Sequence, residues 1–70
     1  MDRYIHTTGE VLAQKSERLY EVRTPIGKVV RGFVERKDEG DVAPEVGDAV
    51  ELQFQHEDLS RARIMRVVEG

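Results

Sequence analysis

The sequence predicts an all-β domain: a small barrel of five short strands with, at most, one helical turn. Three observations point there. Apolar residues alternate with period two over short runs, Gly- and Pro-bearing segments punctuate those runs, and no stretch carries a helical or heptad period. The chain of 70 residues supports one hydrophobic core and no second, so residues 1–70 are expected to form a single domain. Closing the sheet would remove the edge strands that invite aggregation.

Thr8 to Ala13 belongs to a first strand beginning near Tyr4, and Gly9 within it marks a bulge or a bend. Gln14 to Arg18 has no apolar member and reads as a loop. Leu19–Arg23 and Val29–Val34 flank Thr24-Pro25-Ile26-Gly27, where Pro25 presets φ and Gly27 can take φ > 0, so the two runs pair as an antiparallel hairpin. Tyr20 and Val22 share one face, which assigns Tyr20 to the core. Val30, Gly32 and Val34 share another small apolar face, opposite Val29, Arg31 and Phe33. Phe33 either stands on the open face beside Arg31 or joins the core through a register slipped by one residue.

Glu35 to Gly47 is broken by Gly40, Pro44 and Gly47 and allows one helical turn between the third and fourth strands. Ala49 to Phe54 is a fourth strand with Val50, Leu52 and Phe54 inward. Gln55 to Ser60 is a polar connection, and Ala62 to Val68 a fifth strand. There Arg61 and Arg63 alternate with Ala62 and Ile64, while Arg66 falls out of phase, as a bulge near Met65 would explain. The count, the spacing and the glycines fit the OB fold, a five-stranded antiparallel Greek-key barrel. An SH3-like barrel is the competitor on periodicity alone.

The net charge of −3 is unevenly placed. Residues 1–37 carry +3, residues 38–58 carry −8 with no Lys or Arg, and residues 59–70 carry +2. Binding to a polyanion therefore depends on whether the fold points the basic body and the acidic stretch apart. The chain has no cysteine, which excludes disulfides and thiolate zinc sites and suits a reducing cytoplasm. The stretch Met1-Asp2-Arg3-Tyr4-Ile5-His6 lacks the apolar region of a signal peptide, and no apolar run reaches membrane-spanning length. The expectation is a complete, cytoplasmic chain that starts at Met1, acts as a monomer and makes no membrane contact.

Catalysis finds no footing. Ser16 and Ser60 fall in connections with no histidine placed beside either, and one small core leaves little room for a sheltered cleft. His6 and His56 lack further ligands at metal spacing and read as surface residues. Asp38, Glu39 and Asp41 lack the later bidentate Glu of an EF-hand loop and read as a solvated acidic turn. No catalytic residue, metal ligand or cofactor is expected.

Several motifs resemble bacterial translation initiation factor one in their order and spacing. They are Gly9-Glu10-Val11-Leu12, Tyr20-Glu21-Val22, Gly27-Lys28-Val29-Val30, Gly47-Asp48-Ala49-Val50 and Asp58-Leu59-Ser60-Arg61-Ala62-Arg63-Ile64. The Gly-Asp-x-Val element is common among OB domains; the closing motif is more specific. The resemblance spans residues 9 to about 66 and implies a single OB domain that binds the small ribosomal subunit through rRNA, beside other initiation factors. It also implies phosphate contacts by Arg61 and Arg63 and by Arg36 and Lys37 at the start of the loop after the third strand. Arg31 and Phe33 lie where the family presents its nucleic-acid face, with Phe33 placed to stack on an unpaired base.

The departures are equally specific. The family's loop after the third strand is rich in Lys and Arg, whereas here Asp38, Glu39 and Asp41 follow Lys37. Glu57 stands for a usual Tyr, Ala62 for Gly, Arg66 for an aromatic, and Val67-Val68-Glu69-Gly70 for a basic tail. Such changes suit a divergent paralogue. They also leave an alternative: a protein-interaction OB module that uses the acidic 38–58 stretch against a basic partner, with RNA binding reduced or lost.

Overall fold

The computed structural model describes residues 4–55 and 58–68. Five strands follow in order: β1 (Tyr4–Ser16), β2 (Leu19–Arg23), β3 (Val29–Phe33), β4 (Ala49–Gln55) and β5 (Asp58–Val68). A single 3-10 turn, Arg36–Asp38, lies between β3 and β4. The strands close into a barrel in the order β1-β2-β3-β5-β4, the OB fold.

One seam departs from the expected antiparallel barrel. β3 and β5 pair in parallel, whereas the other four neighbouring pairs are antiparallel. Parity demands it: in a closed ring of five strands, directions cannot alternate all the way round.

The inward set alternates along each strand. Val11, Tyr20, Val22, Val30, Val34, Val50, Leu52, Phe54, Ala62 and Ile64 form one buried cluster. Leu52 and Ile64 are fully buried, and each Leu or Ile side chain removed from water contributes about 1.5–3 kcal/mol. Gly32 is part of the same wall. A Cβ there would lie 2.8 Å from Val22 Cγ2 and 3.0 Å from Ile64 Cδ1, so only a residue without a side chain lets the strands close.

The hairpin turn forms as its sequence directs. Gly27 N–H donates to Thr24 O at 2.9 Å, Thr24 N–H donates to Lys28 O at 2.8 Å, and Gly27 has φ 87°. The bulge near Met65 is also present: Glu51 faces Arg66 and Leu52 faces Ile64, so Met65 is the extra residue.

Two expected connections are strand instead. Gln14 to Ser16 continues β1, which leaves a turn only at Glu17 and Arg18, and Asp58 to Ser60 begins β5. The length of β1 follows from its double duty. Residues 4–10 pair with β4 and residues 10–16 with β2, and Glu10 faces both Ala49 and Arg23. Gly9 sits beside that hand-over in regular register with Val50, and the β1 irregularities against β2 fall instead at Leu12 and Lys15. A Cβ on Gly9 would come within 2.5 Å of Val22 Cγ1. Ser16 and Ser60 thus lie on strands. His56, Glu57 and the segments 1–3 and 69–70 lie outside the described residues.

The loop between β3 and β4 is strapped to the barrel. Val42 packs against the core, Pro44 is buried, and Gly47 N–H donates to Val11 O while Val11 N–H donates to Asp48 O. Among the described residues, no helix is long and apolar enough to cross a membrane.

Candidate nucleic-acid interface

The parallel seam assembles four of the six residues singled out from the sequence. Arg31 faces Arg61 and Phe33 faces Arg63, separated by the inward pair Gly32 and Ala62. All four therefore stand on one outer face. Arg31 and Arg61 are exposed, and Phe33 and Arg63 half-buried. The two alternatives for Phe33 are thereby resolved: the hairpin keeps its unslipped register, with Phe33 opposite Leu19 and Tyr20 opposite Gly32. Tyr20 is core.

Phe33 forms part of two adjoining depressions. The first, of about 150 Å³, is completed by Tyr4, Glu35, Gln53, Gln55, Arg61 and Arg63. The second is a more open groove between the Glu17–Arg18 turn and the start of the 3-10 turn, bordered by Leu19 and Arg36. An aromatic ring flanked by cations on an open sheet face can stack on a base while the arginines meet phosphate. The first depression is well below the ~300 Å³ at which small-molecule pockets begin. It suits one flat group better than a cofactor.

Tyr4, Gln53 and Gln55 were not singled out from the sequence. Their outward phase on β1 and β4 was legible for Gln53, but nothing local says that closure brings those strands beside β5. Gln55 faces Tyr4, and Gln53 faces both His6 and Arg63.

The cations are not equally available. Arg31 makes no ion pair or side-chain hydrogen bond among the described residues, and the same holds for Arg36. Lys37 is an exposed side chain 3.9 Å from Glu35. Arg63 is held. Its Nη2 donates to Asp38 Oδ2 at 2.7 Å, and its Nε lies 3.4 Å from Glu35 Oε1. The hydrogen bond that Arg63 donates to Asp38, aided by the charges of Glu35 and Asp38, raises the guanidinium above its ordinary pKa despite the opposing effect of burial. A raised folded-state value means that this contribution is present below the ordinary arginine range and lost only above it. Arg63 therefore stays charged throughout the range in which such a domain folds.

The acidic stretch and the basic body are thus not pointed apart. Arg18 meets Glu39 at 3.7 Å, Arg66 meets Glu51 at 3.1 Å, and Arg63 meets Asp38. His6 Nε2 lies 3.4 Å from Gln53 Nε2, and among the described residues no group of three or more His, Cys, Asp or Glu could hold a metal ion.

Comparison with known proteins bears on the fold. No family model matches the chain, and no curated protein matches it in sequence. Solved structures do match. Translation initiation factor one from the Wolbachia endosymbiont of Brugia malayi superimposes with a TM-score of 0.78 at 19% identity, over 99% of this chain and 83% of that one. A structure from a study of DNA binding by Lig E DNA ligases matches with a TM-score of 0.66 at 22% identity, over 97% of this chain and 32% of that one. At these identities the likeness establishes the OB fold, and the resemblance to initiation factor one extends from sequence motifs to the whole barrel.

Proposed function

We propose that the chain is a single-stranded RNA-binding OB module that docks on the small ribosomal subunit through rRNA. The observation that carries this reading is the β3–β5 seam, which sets Arg31 beside Arg61 and Phe33 beside Arg63 on one outer face. Arg31 and Arg61 contact phosphates, Phe33 stacks on an unpaired base, and Arg36 extends the cationic rim toward the Glu17–Arg18 turn. Similarity to an initiation factor over nearly the whole chain supports a ribosomal target over a generic one. The module acts without cofactor or catalysis.

The acidic stretch offers a protein partner less than its charge suggests. Asp38, Glu39 and Glu51 are engaged by arginines of the barrel, and Asp48 Oδ2 accepts from Glu45 N–H at 2.8 Å. Binding to isolated small subunits at two salt concentrations, with naked single-stranded RNA alongside, tests the proposal. Saturable, salt-sensitive binding to the subunit supports it. Binding to naked RNA alone reduces it to a general RNA-binding module. Binding to neither, together with capture of a basic protein by the wild type and not by Asp41→Asn plus Glu45→Gln, would favour the interaction-module reading.

A further inference from the structure

The acidic residues around the 3-10 turn do more than lower the net charge. Glu35 and Asp38 bracket the turn, whose backbone is closed by Asp38 N–H donating to Glu35 O at 2.9 Å. Both carboxylates converge on Arg63, at 3.4 and 2.7 Å. Arg63 projects from the same face as Arg31, Phe33 and Arg61 and borders the depression that Phe33 and Arg61 line. Two carboxylates thus occupy the guanidinium where an RNA phosphate would otherwise sit.

The grip is incomplete. The Asp38 contact is a short charge-assisted hydrogen bond, but Nε of Arg63 is buried and makes no hydrogen bond among the described residues despite its proximity to Glu35. A planar guanidinium reaches its best geometry when two parallel N–H groups meet one oxyanion, as a phosphate allows. The pair is partly accessible, with side-chain exposures of 21% for Arg63 and 24% for Asp38. Exchange of one anion for another therefore requires only that the side chain swing out.

We infer that Glu35 and Asp38 form a built-in competitor for RNA phosphate at Arg63, an autoinhibitory contact that weakens the RNA grip of this barrel. The inference rests on the RNA-binding reading above. Arg63 contributes to binding only when the turn lets it go, so the domain holds RNA with fewer phosphate contacts than its arginines could supply. A partner or condition that draws the turn away raises its affinity.

A double-mutant cycle on a single-stranded RNA oligonucleotide tests this, using wild type, Asp38→Asn, Arg63→Gln and the double variant. Asp41→Asn serves as control: Asp41 is exposed, three residues away, and makes no side-chain hydrogen bond or ion pair among the described residues. Asp38→Asn is expected to bind about fivefold more tightly, the upper end for a part-exposed pair. Its log-affinity against log-salt slope should steepen by about 0.7, one further phosphate. Asp41→Asn should gain less than about twofold and keep the wild-type slope. In the Arg63→Gln background, Asp38→Asn should gain no more than that control. Thermal melts of all five proteins show that each is folded at the assay temperature. A gain that survives Arg63→Gln, or an unchanged slope, overturns the competitor while leaving RNA binding intact. Absence of binding by every protein, including wild type, overturns the RNA reading and this inference with it.

Discussion

The outer face of β3 and β5 and the loop between β3 and β4 carry opposite charge and are held in different ways. The face owes its geometry to the core: Arg31, Phe33, Arg61 and Arg63 point outward because Gly32, Ala62 and Ile64 point in. The loop is held by polar contacts, among them Arg63 with Asp38 and Gly47 N–H with Val11 O, with Val42 and Pro44 as its apolar anchors. Formal charge counts the two alike. The fold does not: it engages Glu35, Asp38 and Glu39 of the loop with Arg63 and Arg18, and leaves Arg31 and Arg36 unpaired among the described residues.

Variants should separate the two regions, beginning with the core beneath the face. Ile64 is fully buried, so Ile64→Ala should cost about 2–5 kcal/mol in urea unfolding. That is a large share of the stability available to a domain this small. Neutralising the exposed loop residue Asp41 should change stability by less than about 0.5 kcal/mol in the same assay.

Phe33→Ala comes next. The ring is half-buried on the outside of the barrel, so RNA affinity should fall by about 1–3 kcal/mol while the domain stays folded. A variant that melts yet keeps its RNA affinity at low temperature would make Phe33 a structural residue. Smaller still is the effect of the pair between face and loop. Asp38→Asn should lower stability by at most about 1 kcal/mol, since the contact is only partly shielded from water, and a larger drop in thermal midpoint would mean that the turn holds the barrel together.

Much of this molecule is legible from alternation. Val50, Leu52 and Phe54 inward, the slip at Met65 and the phase that unites Arg61 with Arg63 all follow from a period of two on strands that have one wet face. The parity of Phe33 was not legible locally, because a slip of one residue is equally compatible with the hairpin sequence. Tyr20, held between Gly32 across the strand and the core behind it, decides that register. The extra length of β1 was hidden because Gln14, Lys15 and Ser16 are polar and exposed, and β2 supplies their backbone partners from elsewhere in the chain. Asp58 begins β5 opposite Gln55, and both residues are polar.

The candidate site was half legible. Its arginines and Phe33 could be named from the sequence, but not which of those arginines are spoken for. Asp38 and Arg63 stand 25 positions apart, and no pattern in either segment announces that they meet. Tyr4 and Gln55 join the face only because the ring closes through β1 and β4.

The most direct test is the salt dependence of single-stranded RNA binding by wild type and by Arg31→Ala plus Arg61→Ala, the opposed pair on the seam. The account predicts that the double variant loses affinity and that its log–log slope flattens by about 1.4, two phosphates at about 0.7 each. A variant that binds RNA with wild-type affinity and slope would contradict the claim that this face holds the nucleic acid.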